Sequence, residues 1–345
     1  MNVARGGGIT PRPASDSLAK NYGDCKGQAT LMRALLKAAG IDSYLTTITS
    51  GDRTYVRPEW ASPSQFNHAI IAIRVSDALD LPAVIPQSPV GRLLMFDPTS
   101  RFTQLGDLPE TEQASYALVI AGSQGALLKM PLLPLESRRV ETAIDATMDA
   151  EGRLEARLKR QYFGQAGTSL RGVQRLLGND DVKKIFETAF TRRLGGTTLT
   201  RVSTEDTPED HRITVHVDLA AERFGLLEGK LLLVRPGLLS NTSEYFFNTR
   251  QRTTPVRVAA ALRSDSIRIK VPPGFQIDEI PPPRKLESPY GKLSASWNLK
   301  DGELIMEQTL EISDTVTPAA EFPKVRDFFD LVAGVQTAPV VFVRP

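Results

Sequence analysis

The sequence predicts an α+β fold: a helix packed on an antiparallel sheet, followed by a β-rich α+β region. Three observations predict it. "CKGQATLMRALLKAA" carries apolar and small residues at helical spacing, and "FNHAIIAIRV" and "GRLLMF" then read as strands. Beyond a proline-rich stretch, "KMPLLPLESRR" at 129–139, the chain alternates apolar runs with turns and has few helices.

The first helix is set by its periodicity. From Cys25 onward, Ala29, Met32, Leu36 and Ala39 recur in steps of three and four, with Leu31 and Leu35 beside them, which marks one buried stripe. Asp24 suits the N-cap and Gly40 the residue after the C-cap. Cys25 therefore falls in the first turn. Unpaired backbone N–H groups and the positive end of the helix dipole favour a thiolate there. The Cys25 amide faces any negative oxygen formed nearby, as an oxyanion hole requires.

Two strands follow. In 66–75, His68, Ile70, Ala72 and Arg74 fall on one side and Ala69, Ile71, Ile73 and Val75 on the other, so His68 opens a strand. Leu93 to Phe96 form a short apolar run that Asp97-Pro98 ends, since proline cannot continue a central ladder. Antiparallel pairing sets a strand start beside a strand end, so His68 and Asp97 are expected side by side. With the helix start on the same edge, cysteine, histidine and aspartate form a nucleophile, a base and an orienting group. The connection from Ser76 to Gly91 is too long for a hairpin turn; it is expected as a surface insertion, with a cover on one side of the cleft as the alternative. Residues 1–22, rich in Gly, Pro and Ser, read as coil.

In the second half, residues 138–164 read as a hairpin turning at Asp149 to Gly152. Residues 167–196 read as two helices divided at Gly178-Asn179, with Lys183, Lys184, Arg192 and Arg193 as a solvated face. Strand-like runs follow near Ile213–Leu219, Lys230–Val234, Ser266–Val271, Leu293–Leu299 and Leu304–Ile312, and "FPKVRDFFDLVAGV" reads as an amphipathic helix.

Composition narrows the function. The chain has 345 residues, a net charge of +2 with both signs mixed, and one cysteine. The charge balance gives no nucleic-acid footprint, and no apolar run reaches the ~20 residues of a membrane span. One cysteine excludes an internal disulfide and a Cys-rich zinc site. His211 and His216 sit in "HRITVHVDL", a strand without paired acids at metal-ligand spacing. Gly6 to Gly8 lack the preceding strand and following Lys-Ser/Thr of a phosphate loop.

Residues 21–120 resemble the transglutaminase-like superfamily, a branch of the papain-like cysteine enzymes. The likeness lies in "YGDCKG" before a helix, "FNH" opening a strand, "FDPTS" closing one and "LGDLP" after it, in the order Cys, His, Asp. More narrowly, the chain is similar to a bacterial lineage whose core lies between two poorly characterised domains. "VPPGFQIDEIPPP" (271–283) and "SPYGKLSASWNLKDGELIMEQTLEI" (288–312) resemble that lineage's β-rich region. The resemblance implies a papain/transglutaminase-like core, with Cys25 as nucleophile, His68 as general base and acid, Asp97 orienting His68, and Tyr22 lining the site beside the Cys25 amide. It implies attack on amide bonds of a protein or peptide substrate through a thioester, hydrolysis ahead of cross-linking, with no cofactor and no metal.

The superfamily core carries a helix and a strand ahead of the cysteine motif. Only 24 residues precede Cys25, so an N-terminally truncated core is expected. The expected division is a core at 1–128, a linker at 129–139, an α+β region at 140–255 and a β-rich domain at 256–345. Members of the lineage are often exported, which implies a periplasmic or secreted protein, although "MNVARGGGITPRP" has no apolar signal core. An alternative stays open: the trio is a catalytically inactive relic, and the β-rich half is a protein- or peptide-binding surface.

Overall fold

Asp24 and Gly40 bracket the helix that carries the cysteine, and each does so by a specific bond. In the structure, a computed structural model that describes residues 10–192, 194–240, 247 and 249–345, this is α2 (Cys25–Ala38), preceded by α1 (Ala14–Lys20). The Asp24 side chain accepts the Gly27 N–H at 2.9 Å. At the other end Gly40 takes φ +75°. Its N–H reaches the Lys37 carbonyl while Ile41 N–H reaches Leu36, the paired bonds of a Schellman stop.

The stretch expected as coil thus contains α1. Proline at the N-cap and a left-handed Asn21 (φ 48°) confine it to seven residues, too short for a clear periodic signal. Ser17 of α1 is buried, and a Cβ on Gly27 would come within 2.9 Å of its Oγ. The glycine of "DCKG" therefore lets α1 approach the start of α2. The stripe expected on α2 is only partly covered. Gly27 and Ala29 are buried, Leu31, Met32 and Leu36 are half-buried, and Leu35 and Ala39 are exposed.

The chain divides into two units, 1–137 and 138–345. In the first, β1 (Ser43–Ile48), β2 (His68–Arg74), β3 (Val84–Ile85), β4 (Leu93–Phe96), β5 (Tyr116–Val119) and β6 (Ala126–Lys129) form one antiparallel sheet in the order β3-β4-β2-β1-β5-β6. β2 is central and buried from Ala69 through Ala72 on both faces, which explains its unbroken apolar run. The 76–91 connection is not a simple surface insertion. It supplies β3, and Ala83, Ile85 and Val90 join the core with Ile48, Ile70, Leu93 and Met95.

The second unit begins with the expected hairpin, β7 (Val140–Met148) and β8 (Leu154–Phe163), then α3 (Gln165–Leu177) and α4 (Asn179–Thr191), split at Gly178. Next come β9 (Thr197–Thr207), β10 (Arg212–Ala221), β11 (Leu226–Glu228) and β12 (Leu231–Val234). β13 (Val256–Val258), β14 (Ala261–Lys270), β15 (Gln276–Glu279), β16 (Arg284–Ser288), β17 (Gly291–Lys300), β18 (Glu303–Ile312) and β19 (Thr315–Thr317) precede α5 (Phe322–Gln336) and β20 (Val340–Val343).

Eight of these strands form one sheet, β16-β17-β18-β14-β7-β8-β10-β9, antiparallel except for the β14–β7 pair. Its strands come from both sides of residue 255, so the boundary expected at 255/256 falls inside a single sheet. Along β7, β8, β17 and β18 buried and exposed residues alternate, so one face meets a core and the other is polar. α3 and α4 pack Leu170, Val182, Phe186 and Phe190 onto that core, and α5 packs Phe322, Val325 and Phe329 against Leu293 and Leu310. Arg193 of the expected basic face and Gly6 to Gly8 lie outside the described residues. The architecture is α+β, rich in strands with few helices, and its sheets are mainly antiparallel.

Candidate active site

The cysteine helix and two sheet strands converge on one small cluster in the first unit. Cys25 is the first residue of α2 and is half-buried. Among the described residues its N–H and that of Lys26 have no protein acceptor, as expected for the first turn of a helix. His68 is the first residue of β2, paired with Ile48 of β1. Asp97 follows β4 directly. The β2–β4 register sets Ile71 against Phe96 and so brings Asp97 beside Ile70, on the side-chain face that Ile70 shares with His68.

The resulting distances are short. His68 Nε2 lies 3.2 Å from Asp97 Oδ2 and 3.6 Å from Glu112 Oε1. The Cys25 thiol hydrogen-bonds the His68 ring, and the Ala69 N–H also bonds the sulfur. Thr99 steadies the far side of Asp97: its N–H and hydroxyl donate to Oδ1 at 2.8 and 2.7 Å. Asn67, the residue before His68, is clamped to Ser50, accepting its N–H at 2.9 Å and donating to its carbonyl at 3.1 Å. The start of β2 is therefore held by its neighbours on both sides.

The electrostatics follow from burial and pairing. The hydrogen bond to His68 is the main cause that holds the Cys25 thiol below the ordinary thiol range, outweighing the desolvation that raises it. Burial alone would lower His68. Its hydrogen bonds to Asp97 and Cys25, with the charges of Asp97 and Glu112, instead lift it to about 10. Burial would raise Asp97, but the bond from His68 and the two from Thr99 keep it below the usual carboxylate range. Near neutral pH these directions favour a thiolate, an imidazolium and a carboxylate in a row.

Three of the residues expected from the sequence, Cys25, His68 and Asp97, are thus brought together. Tyr22 is not: it is 80% exposed, and among the described residues no hydrogen bond joins it to the other three. Glu112 was not anticipated. It lies in the 97–115 segment after "LGDLP", where an acid among "PETEQ" gives no periodic or motif signal, and only the tertiary fold brings it to the imidazole. Its side chain is 1% exposed, and burial together with the Asp97 charge pushes it up to about 9. His68, Asp97 and Glu112 offer donor atoms within 4.8 Å of one another, a spacing that carboxylate–imidazole hydrogen bonding accounts for. Among the described residues no helix is long and apolar enough to cross a membrane.

Comparisons with known proteins add to this. A family model, a domain of unknown function with solved structure (DUF3858), matches residues 230–342, within the second unit. A crystal structure of a candidate protease from Parabacteroides distasonis is similar to this chain with a TM-score of 0.50 and 10% identity. The likeness covers 96% of this chain and 46% of that one, so this chain spans less than half the length of that protein. At such identity it speaks for the fold alone. No curated protein matches the chain.

Proposed function

We propose that the first unit is a transglutaminase-like, papain-like core and that the protein is a thiol enzyme acting on amide bonds of proteins or peptides, with hydrolysis favoured over cross-linking. The observation that carries this reading is a cysteine at a helix N-terminus, hydrogen-bonded to a histidine that an aspartate faces. The candidate protease of similar fold and the DUF3858 match, which spans both β-rich motifs of the resemblance, support it.

In this mechanism the Cys25 thiolate attacks the amide carbonyl carbon, and the carbonyl electrons move to oxygen. The free Cys25 N–H and the helix dipole stabilise that oxyanion. His68, as imidazolium, gives its proton to the leaving nitrogen as the C–N bond breaks, leaving a thioester and a free amine. Neutral His68 then takes a proton from water, whose oxygen displaces the sulfur. The products are a carboxylic acid and the restored thiolate–imidazolium pair. Asp97 orients the ring and stabilises its charged form throughout.

Iodoacetamide alkylation of Cys25 from pH 4 to 9, in wild type and His68→Ala, tests this reading. With one cysteine the signal has a single source. At pH 6 an ordinary thiol is under about 1% ionised, so the wild type should react roughly 100-fold faster than His68→Ala. Ordinary titration of Cys25 in both proteins sinks the enzyme reading and leaves the inactive, binding-module alternative. If the thiol is activated, labelled-casein cleavage against amine incorporation separates hydrolysis from transfer.

A further inference from the structure

Glu112 is the one group in the cluster for which the mechanism above has no use. It is nearly fully buried, Oε1 faces the same imidazole nitrogen as Asp97, and among the described residues Oε2 has no hydrogen-bond partner. Two carboxylates within 4 Å of one nitrogen do not share a buried site as two anions, because their repulsion and the cost of desolvating a second charge oppose it. We propose that Glu112 is a fourth member of the site, a positioning residue that keeps its proton, donates it in a hydrogen bond to Asp97 and so leaves the imidazole facing a single carboxylate charge.

The surroundings fit that role. The charges bearing on Glu112 are Asp97, whose position follows β4, and His68 from β2, with Cys25 of α2 beyond the ring. Asp97 thereby gains a donor besides the ring and Thr99, so each group that fixes its carboxylate is a hydrogen-bond donor. Glu112 also acts as a reserve. When it ionises in the alkaline range, its new charge holds the proton on His68 and extends the imidazolium form to higher pH.

The proposal rests on the thiol-enzyme reading only in treating the four side chains as one site, and its test reports on different groups. Nitrogen-15 NMR of the imidazoles follows His68 in the full chain, and His68→Gln assigns its signal among the three histidines. In Glu112→Gln, which keeps a donor but cannot ionise, the charge that Glu112 takes up in the alkaline range is lost, and the His68 midpoint should fall by about 1–3 pH units. Glu112→Met gives a second neutral occupant of similar length, with the same expectation. An unmoved midpoint in either folded variant overturns the proposal. So does a wild-type minus Glu112→Gln infrared difference spectrum at pH 7 that holds no carboxylic acid carbonyl stretch, since Asp265 contributes equally to both proteins. An ordinary Cys25 thiol beside a shifted His68 midpoint breaks the enzyme reading alone; an activated thiol beside an unmoved midpoint breaks the Glu112 proposal alone.

Discussion

Two buried aspartates, one in each unit, carry opposite protonation tendencies. Asp97 is 4% exposed and Asp265, in the middle of β14, is 5% exposed. Burial raises both. At Asp97 a hydrogen bond from His68 and two from Thr99 reverse the effect and keep the carboxylate. At Asp265 burial wins, although Gln308 Nε2 donates to Oδ2 at 2.6 Å and the charges of Arg160 and Arg263 pull the other way. Arg160 also donates to the Thr142 hydroxyl and the Ser240 carbonyl. A buried carboxylate stays charged where the hydrogen bonds it accepts outweigh burial, as those from His68 and Thr99 do at Asp97; at Asp265 those from Gln308 and Thr142 do not. The difference separates a cluster arranged to hold charge at a strand end from a polar patch that completes a sheet.

The largest expected effect breaks the charge-holding cluster outright. In Asp97→Asn burial still raises Glu112, but the Asp97 charge that adds to it is gone while the His68 charge that lowers it remains, so Glu112 ionises more readily and takes over as the charge facing His68. The fall in the His68 midpoint is therefore muted. In Asp97→Asn/Glu112→Gln no carboxylate remains, and burial should bring His68 to or below its ordinary value of about 6.5. Cys25 alkylation at pH 6 should then drop by about 100-fold, well beyond the product of the two single effects. If the single effects multiply to the double, the two carboxylates are not exchanging one charge.

A second expectation concerns stability. His68 is raised to about 10 in the folded chain, so its contribution is fully present below its unfolded value near 6.5 and is lost as pH rises toward 10. Denaturant midpoints of the wild type should fall across that window, and His68→Gln should flatten the fall. Parallel curves for the two proteins would show that the imidazolium is no more favoured in the fold than out of it.

These contrasts also show what a sequence can carry. Cys25, His68 and Asp97 were legible because each sits at the end of an element, and ends are marked by local chemistry: an N-cap, a strand start, an Asp-Pro stop. The β7–β8 hairpin and the break at Gly178 were legible for the same reason. α1 was not, because seven residues between a proline and Asn21 show no period. β3 was hidden inside a long connection because two residues make no alternation. The exposure of Leu35 on α2 could not be read, since a stripe shows which face is apolar and not what covers it. Glu112 and Asp265 escaped for a different reason. A buried acid has no local signature, and its partners come from strands or loops brought close only by the fold.

The smallest expected effect lies at Asp265, and its sign is the sharpest form of the comparison. Burial raises its folded-state value above the unfolded one, so the carboxyl contributes most at low pH and its contribution is lost as pH rises through the folded value. Asp97 behaves oppositely, contributing above its unfolded value and losing that contribution as pH falls. Asp265→Asn keeps an acceptor for Gln308 and removes the ionisation. At pH 7 it should cost no more than about 1 kcal/mol, because the burial that raises Asp265 penalises the wild-type carboxylate and not the amide. Its stability relative to wild type should rise from pH 4 to pH 8, read by urea denaturation at each pH. A relative stability that instead falls over that range would mean that Asp265 is a paired anion like Asp97, and that the charges of Arg160 and Arg263 outweigh its burial.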